Sequence, residues 1–575
     1  MKRILKYMRG YTLFAVSAPF FKVLEAIFEL MIPLVVKNIV DIGIAANDSS
    51  YILRMCGLLV LLTFIGFSCT MVAQYFAAKA AVGFSGNVRQ ALFDHAQTLT
   101  FSDIDRMGTS TMITRMTSDI TQVQSGVNLT LRLFSRSPVI VFGSMIMAFT
   151  IDVPSALIFA VAIPILCAVV FGIMLAGIPL YRKVQARLDR VLGITRENLS
   201  GARVIRAFTD EENEIREFQK QNTALTAVQK FAGKISALMN PATYLLINLA
   251  IIALVYTGAL RVEGGAITQG AVIALYNYMS QILVELVKLA NLIITMTKAA
   301  ACADRIAAML EEGGGPLPII EKGEKQNDFA VTFRGVGLTY QNASEESLTD
   351  IDFTVRRGET VGIIGGTGSG KTSLVHLIPR FYDATRGEIL LFGVDVRAYS
   401  AEELRKKVGI VMQKAVLFRG TVRDNLRWGK PDATDEELWR ALDIAQARDV
   451  VEGKEGGLDY VIEQDGRNLS GGQRQRLGIA RTLVANPDIL IFDDSSSALD
   501  YATDARLRAA IKGMEHTHTV FIVSQRAASI SHADKIVVLD DGHAVGIGTH
   551  TELLQSCPVY AEIYCSQFPK EEVRP

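Results

Sequence analysis

The residues best suited to chemistry form one short glycine-rich loop, Gly365-Gly366-Thr367-Gly368-Ser369-Gly370-Lys371-Thr372. Its spacing fits the pattern G-x-x-x-x-G-K-[ST], in which backbone N–H groups wrap a polyphosphate. Lys371 can reach the β- and γ-phosphates of a nucleotide, and the Thr372 hydroxyl can ligate Mg²⁺. The apolar run at 361–364 predicts a strand before the loop, and the residues from Ser373 onward predict a helix after it. A bound phosphate would therefore meet a helix N-terminus.

A second anion site is predicted at Leu469-Ser470-Gly471-Gly472-Gln473, immediately before the helical pattern at 474–483. A serine and two glycines at a helix N-terminus can bind phosphate. One nucleotide rarely needs two such loops from the same chain. The simplest arrangement is two ATPase domains packed head to tail, each lending its Ser-Gly-Gly to the nucleotide of the other. A buried strand pattern then ends in Asp493, which is placed to hold Mg²⁺ at the strand's carboxyl end.

The elements around these motifs indicate two domains and a linker. From residue 329 to 575 strand patterns alternate with helical ones, as expected of an α/β ATPase core. The run Glu311-Glu312-Gly313-Gly314-Gly315-Pro316 begins a predicted linker at 311–328. Residues 1–310 form the remaining domain.

The first domain is predicted to span a membrane six times. Half of the 575 residues are hydrophobic, and a span needs about 20 residues to cross the hydrocarbon core. Long apolar stretches fall at about 13–38, 52–80, 134–151, 155–180, 238–260 and 270–297. Lys and Arg crowd residues 182–206, so the positive-inside rule predicts that both termini are cytoplasmic. The basic N-terminus is interpreted as part of a retained anchor, since Lys22, Glu25 and Glu29 interrupt the pattern of a signal peptide.

Polar residues inside these spans are the candidates for a substrate path. They recur at helical spacing in the first span (Lys22, Glu25, Glu29) and in the sixth (Asn277, Gln281, Glu285, Lys288, Asn291). A charge at the centre of a membrane helix costs at least about 2.5–3.5 kcal/mol. These faces should therefore line a cavity or pair with one another, and the sequence leaves both alternatives open.

Helical patterns also continue beyond the spans. They predict helices that extend about 30 Å from the membrane at 1.5 Å per residue. The tips at 101–105 and 201–208 are predicted to contact a cytoplasmic domain.

With these motifs in place, the chain resembles a half-transporter of the ATP-binding-cassette (ABC) exporter family over nearly its whole length. Leu469–Gln473 matches that family's signature motif. The resemblance implies a helical transmembrane domain of six spans with long cytoplasmic extensions. It also implies a following α/β P-loop ATPase domain with an antiparallel β subdomain and a helical subdomain. The expected cofactors are ATP and Mg²⁺.

The resemblance also assigns roles to single residues. Tyr340 should stack on adenine, and Gln413 should sense the γ-phosphate and Mg²⁺. Ser497-Ala498-Leu499-Asp500 matches the loop that communicates between paired ATPase domains. The tips at 101–105 and 201–208 look like the family's coupling helices.

Two positions depart from the family pattern. Asp494 stands where the family usually has the glutamate that polarises the attacking water, and Gln525 stands where it has a histidine. Aspartate is one methylene shorter, so its carboxylate falls short of an in-line water. Glutamine can hydrogen-bond the γ-phosphate but cannot carry a positive charge. The pair predicts a site that holds ATP and hydrolyses it poorly.

These inferences predict one half of a heterodimeric, ATP-hydrolysing exporter in the plasma membrane, whose intact signature completes the active site of a second half-transporter. The cargo could be a small molecule, a lipid or a peptide. Zero formal net charge gives no indication of nucleic acid. The alternatives are a homodimeric exporter with slow hydrolysis, an ATP-binding regulatory membrane protein, and a soluble cassette ATPase. The last of these requires a first half that does not enter the membrane.

Overall fold

The computed structural model describes residues 2–313, 319–320, 328–341, 343–495, 499–514 and 518–568. The chain divides into two compact units, Met1–Gln97 with Ser110–Glu312, and Thr98–Thr109 with Gly313–Pro575. Most of the predicted linker at 311–328 lies outside the described residues, and the domain limits at 310 and 329 stay predictions.

The chain up to residue 312 is helical. Its α-helices are α1 (Thr12–Asn38), α2 (Ser49–Thr98), α3 (Phe101–Met107), α4 (Thr109–Thr114), α5 (Ile120–Leu133), α6 (Arg136–Ile151), α7 (Val153–Ser200), α8 (Ala202–Phe208), α9 (Glu211–Ala237), α10 (Met239–Glu263) and α11 (Gln269–Glu311). Helix α3 belongs to the second unit and the others to the first. Short π-helical segments follow α1 and precede α5.

Within the described part of the chain, five helical segments are long and apolar enough to cross a membrane: Ser49–Thr98, Thr109–Ile151, Val153–Ser200, Glu211–Glu263 and Gln269–Glu311. The remaining predicted span, the first, corresponds to α1, which is 27 residues long. Lys22, Glu25 and Glu29 lie near its middle, so every apolar stretch of full spanning length in α1 contains three charges. The count of six spans therefore stays a prediction.

The two predicted tips are both short helices. Thr100 and Asp103 form a capping box that begins α3, each side chain accepting a hydrogen bond from the backbone N–H of the other. Helix α8 ends at Thr209, whose backbone is left-handed with φ of 55°. Phe208 keeps 80% of its surface exposed, so this tip presents an apolar side chain.

The described residues of the second unit form twelve β-strands and, besides α3, ten α-helices. The strands are β1 (Phe329–Leu338), β2 (Leu348–Arg356), β3 (Thr360–Gly365), β4 (Arg386–Leu391), β5 (Val394–Asp395), β6 (Val408–Val411), β7 (Gly420–Thr421), β8 (Val461–Ile462), β9 (Ile489–Asp493), β10 (Thr519–Val523), β11 (Lys535–Asp540) and β12 (His543–Gly548). The helices are α12 (Lys371–Leu377), α13 (Ala401–Lys407), α14 (Val422–Arg427), α15 (Asp435–Ile444), α16 (Arg448–Glu452), α17 (Gly471–Val484), α18 (Tyr501–Lys512), α19 (Ala527–Ile530), α20 (His550–Ser556) and α21 (Pro558–Gln567).

Strand pairing explains where the site forms. The six-stranded sheet has the order β12-β11-β3-β10-β9-β6, and its strands from β11 to β6 are parallel. A second sheet, β2-β1-β4-β5, is antiparallel. The carboxyl ends of parallel strands meet at one edge, where α/β sheets bind ligands. The residues that follow β3, β6, β9 and β10 therefore share that edge.

Candidate functional site

The glycine-rich loop joins β3 to α12 as predicted from its pattern. Gly370 is the N-cap of α12 with φ of 93°, a conformation that favours glycine. A Cβ at this position would lie 2.8 Å from the carbonyl oxygen of Ser347. The Lys371 ammonium donates hydrogen bonds to the carbonyl oxygens of Gly365 at 3.0 Å and of Gly366 at 2.5 Å. No described atom lies within 4 Å of the Cβ position of Gly366 or Gly368, so the loop has room for close approach by a phosphate.

Thr372 and Asp493 meet at the sheet edge although 121 residues separate them. The Thr372 hydroxyl donates a 2.9 Å hydrogen bond to Oδ1 of Asp493. Asp493 is the last residue of β9 and is only 2% exposed. Hydroxyl and carboxylate oxygens are ligands that Mg²⁺ prefers. The donor set therefore fits Mg²⁺, which when bound would neutralise charge on the β- and γ-phosphates.

Asp494, the residue in the position of the catalytic base, is held by Gln413. Nε2 of Gln413 donates a 3.2 Å hydrogen bond to Oδ2 of Asp494. Burial raises the pKa of the Asp494 carboxyl, while the hydrogen bond from Gln413 opposes that shift. The Asp494 backbone is left-handed, with φ of 45°. The predicted base and the predicted γ-phosphate sensor are thus in direct contact.

The remaining predicted nucleotide contacts lie around the same loop. Tyr340 is half-buried, and its hydroxyl donates a 2.9 Å hydrogen bond to Oγ of Ser373. Burial raises the pKa of Tyr340. Ser369 is buried in the loop and Thr367 is exposed. Gln525 follows β10 with an exposed side chain, and its carbonyl accepts a 2.8 Å hydrogen bond from Nε2 of Gln567.

The signature segment begins α17 through a reciprocal cap. Oγ of Ser470 accepts a hydrogen bond from the backbone N–H of Gln473, and Oε1 of Gln473 accepts one from the backbone N–H of Ser470. Gly471 and Gly472 form the first turn of this helix. No described atom lies within 4 Å of the Cβ position of Gly471. The N-terminus of α17 therefore has room for an anion.

The predicted communication loop at 497–500 is only partly described. Ser497 and Ala498 lie outside the described residues. Asp500 caps α18 by accepting hydrogen bonds from the backbone N–H and the hydroxyl of Thr503. These bonds lower the pKa of Asp500.

His376 is a residue of the site that sequence reasoning missed. Its Nε2 lies 3.4 Å from Oδ2 of Asp493. His376 stands four residues after Thr372 in α12, and this i, i+4 spacing puts both side chains on one helix face. That spacing is the signal that could have found it. Thr372 thus contacts Oδ1 of Asp493 while His376 lies beside Oδ2, although Nε2 of His376 forms no hydrogen bond among the described residues.

An aromatic group beside Tyr340 was also missed. The Tyr382 ring packs edge-on against Tyr340 with centroids 5.0 Å apart. The Tyr382 hydroxyl donates a 2.5 Å hydrogen bond to Oδ2 of Asp105 in α3. Phe101, also in α3, stacks on Phe381 at 4.2 Å. The short helix α3 thus touches the side chain that supports Tyr340.

In the first unit, the predicted polar faces of α1 and α11 converge on one residue that the sequence analysis did not identify, Arg136. Its guanidinium contacts Glu285 at 2.5 Å, Glu29 at 2.7 Å and Glu25 at 3.4 Å. Ser137 donates a further 2.8 Å hydrogen bond to Glu285. Ion pairs among α1, α6 and α11 therefore satisfy most of the predicted intramembrane charges.

The other polar residues of these faces complete the cluster. Lys22 pairs with Glu25 at 2.5 Å, and Lys288 pairs with Glu285 at 2.8 Å. Asn277 and Gln281 are half-buried on α11, and Oε1 of Gln281 has no hydrogen-bond partner among the described residues. The pairing alternative accounts for the charged members. A substrate path along this face stays a prediction.

Comparisons with known proteins cover both units. The family model described as ABC transporter transmembrane region matches residues 16–286, and the one described as ABC transporter matches residues 348–497. An uncharacterized ABC transporter ATP-binding protein of Mycobacterium tuberculosis (strain CDC 1551 / Oshkosh) is 37% identical over 98% of this chain and 97% of its own length. YgaD of Bacillus subtilis (strain 168), whose name assigns it to multidrug export, is 31% identical over 99% of each chain.

The fold also matches a solved structure. A bacterial Atm1-family ABC exporter with ATP bound superimposes with a TM-score of 0.80, covering 97% of this chain and 99% of that one at 22% identity. Both domains are therefore present in one polypeptide, in the order that the sequence predicts. The chain belongs to the ABC transporter family, as an exporter that fuses a transmembrane domain to an ATP-hydrolysing domain.

Proposed function

We propose that this chain is one half of a heterodimeric exporter and that its own ATP site turns over slowly. The proposal rests on the length of the Asp494 side chain and on its hydrogen bond with Gln413. The Asp494 carboxylate is one methylene shorter than that of glutamate and already accepts a hydrogen bond from Gln413. A carboxylate that is one methylene closer to the backbone and hydrogen-bonded to a neighbour is displaced from an in-line water. A displacement of about 1 Å can cost about 10²-fold in rate.

Gln525 supports the same proposal. Its amide can donate a hydrogen bond to a γ-phosphate but cannot supply the positive charge of a protonated histidine. Lys371, Thr372 and Asp493 remain suited to bind ATP with Mg²⁺. The expected result is a site that binds nucleotide and releases phosphate slowly.

The signature segment of this chain, Leu469–Gln473, would complete the ATP site of the partner. Among the described residues, the side chain of Ser470 bonds only with Gln473, within its own helix. Its hydroxyl and the amides of the first turn are thus available to a phosphate brought by another ATPase domain. Two domains packed head to tail would form one slow and one active site, and the active site would combine this signature with the partner's phosphate loop.

The membrane arrangement we propose has six spans, with α1 as the first, both termini in the cytoplasm and the plasma membrane as the location. Of the three charges that separate α1 from the other spans, Glu25 pairs with Lys22, and Glu29 pairs with Arg136. Pairing removes most of the cost of placing them in the hydrocarbon core. The cargo is a small molecule, a lipid or a peptide that moves along the polar face formed by Lys22, Glu25, Glu29, Asn277, Gln281 and Glu285.

The test is the turnover of the purified chain in nanodiscs, with and without its partner. We expect the chain alone to bind a fluorescent ATP analogue yet to hydrolyse ATP well below about 1 per second, an ordinary rate for such enzymes. Lys371→Ala, which removes the ammonium from the loop, is the control that should lose binding. Native mass spectrometry of material purified from its source should show two different chains. A homodimer with ordinary turnover contradicts the proposal.

A further inference from the structure

Arg132 of the transmembrane unit has no counter-ion among the described residues. Arg132 lies near the end of α5, and its Nε is shielded from solvent without a hydrogen-bond partner. No described residue forms an ion pair or a side-chain hydrogen bond with it. One turn earlier on the same helix, Oδ1 of Asn128 is likewise shielded and has no partner among the described residues. Arg132 is half-buried, and a shielded N–H of a charged group that lacks a partner is more costly than that of a neutral group.

The acidic residues of the neighbouring helices already form ion pairs with other cations. In the stretches 12–38, 120–151 and 269–298 the sequence contains three carboxylates, Glu25, Glu29 and Glu285. Three cations hold them, namely Lys22, Arg136 and Lys288. These six charges cancel, and Arg132 is not among the cations that hold the three acids. A shielded charge is normally paired, and no carboxylate among the described residues pairs with Arg132.

Packing contacts place Arg132 along the helices. The Tyr278 hydroxyl of α11 bonds to the carbonyl of Leu30 in α1, and Gly143 of α6 packs on the Leu30 side chain. Further along, Gly126 of α5 packs against Ala299 of α11. Arg132 lies between these two levels, on the Ala299 side of the ion-paired cluster. It stands 19 residues before the end of α6 at Ile151, or about 28 Å at 1.5 Å per residue.

That depth is close to the thickness of the hydrocarbon core, about 30 Å. With the proposed orientation, Arg132 lies at the inner boundary of the membrane, and the balanced cluster lies further in. A cargo that arrives from the cytoplasm or the inner leaflet would meet the unpaired guanidinium before the cluster. Because the first charge on this route is an unpaired cation and the cluster beyond it is neutral overall, the route favours a cargo with an anionic group.

We infer that Arg132 binds the anionic head of an amphiphilic cargo. The inference rests on the proposed export function and adds a substrate class to it. A guanidinium recognises carboxylate, sulfate or phosphate through paired N–H donors. The same chemistry could come from an anionic lipid of the surrounding bilayer, so the test must separate cargo from lipid.

The test measures binding to the full chain in phosphatidylcholine nanodiscs by calorimetry. The probes are decyl sulfate, decyltrimethylammonium and decyl maltoside below their micellar concentrations, which share one chain and differ in head charge. We expect Arg132→Gln to weaken decyl sulfate binding about tenfold or more, with the other two probes unchanged. Arg132→Lys should retain most of the affinity. Lys298→Gln, which removes an exposed cation of α11, is the matched control and should bind as the wild type does.

Two outcomes would overturn the inference. Equal loss for all three probes in Arg132→Gln would mean a general effect on the fold, and unchanged decyl sulfate binding would remove Arg132 from recognition. A third arm uses nanodiscs that contain phosphatidylglycerol. If that lipid abolishes decyl sulfate binding, the site belongs to bilayer lipid rather than to cargo. Binding requires no hydrolysis, so this test is independent of the slow turnover proposed for the ATP site.

Discussion

The side-chain amide of Gln413 donates a 3.2 Å hydrogen bond to the carboxylate of Asp494. The two residues follow neighbouring parallel strands, β6 and β9, whose carboxyl ends meet at the sheet edge. Gln413 is exposed, whereas burial raises the pKa of Asp494. The contact ties a candidate base to a residue that the family resemblance assigns to the γ-phosphate and Mg²⁺. It motivates the first prediction.

Asp494→Glu should speed ATP hydrolysis by this chain's own site. The extra methylene moves the carboxylate toward an in-line water, and the expected gain is about 10²-fold, the size of effect that about 1 Å of misplacement produces. Steady-state phosphate release at saturating ATP measures it. Gln413→Glu serves as a control, because it changes the neighbour without extending the base, and it should not raise the rate. An Asp494→Glu variant as slow as the wild type would show that the length of the side chain is not what limits turnover.

Tyr382→Phe and Tyr382→Ala should differ in their effect on ATP affinity. The ring of Tyr382 packs against Tyr340, the proposed adenine contact, while its hydroxyl bonds to Asp105. Phenylalanine keeps the ring, so affinity should change less than about threefold. Alanine removes an aromatic contact worth about 0.5–1.5 kcal/mol beyond burial, so affinity should fall by up to about tenfold. Titration with a fluorescent ATP analogue measures both variants. Equal losses would assign the role to the hydroxyl and Asp105.

The sequence predicted those parts of the site whose residues are close together along the chain. The phosphate loop, Asp493 at a strand end and the signature each carry their signal within a few residues, and parallel pairing brings the first two to one edge. The ABC exporter family and the order of its two domains, both predicted from these motifs, are confirmed.

Residues whose role depends on distant partners escaped prediction. Arg136 is a single charge at the start of an apolar run. In the sequence it therefore looks like a basic residue that flanks a membrane span at its end. Its partners lie on α1 and α11, up to 149 residues away. His376 resembles any polar residue of a helix until the packing of β9 brings Asp493 to it. The charges that reveal the polar face of α1 also obscure the helix as a membrane span.

Arg136→Ala should destabilise the transmembrane unit strongly. The substitution leaves Glu25, Glu29 and Glu285 without their common cation, and removing one partner of a buried ion pair typically costs about 3–5 kcal/mol. Lys288→Ala should cost about 1 kcal/mol or less, because its side chain is 43% exposed and water can replace the contact. Thermal unfolding in nanodiscs should show a large drop in Tm for the first variant and a small one for the second. Comparable shifts would mean that the cluster is solvated rather than buried.

Ser470 and Gly471 should matter more to the heterodimer than Asp494. In the partner's site, the Ser470 hydroxyl is a preorganised donor to developing phosphate charge. Losing one such donor typically costs about 2.7–4 kcal/mol, or about 10²–10³ in rate. Gly471→Asp should be worse than Ser470→Ala, because it adds a repelling carboxylate where the glycine leaves open space. Asp494→Asn should cost little, because the step it would serve is already slow.

The measurement is ATPase activity of each variant with the wild-type partner at saturating ATP. The expected order of damage is Gly471→Asp, then Ser470→Ala, with Asp494→Asn far behind. ATP binding by this chain's own loop provides the control, since Lys371 and Thr372 lie outside the signature and should bind nucleotide unchanged in the two signature variants. If Asp494→Asn abolishes turnover while Ser470→Ala leaves it intact, hydrolysis takes place in this chain's own site. The assignment of the slow site to this chain would then be wrong.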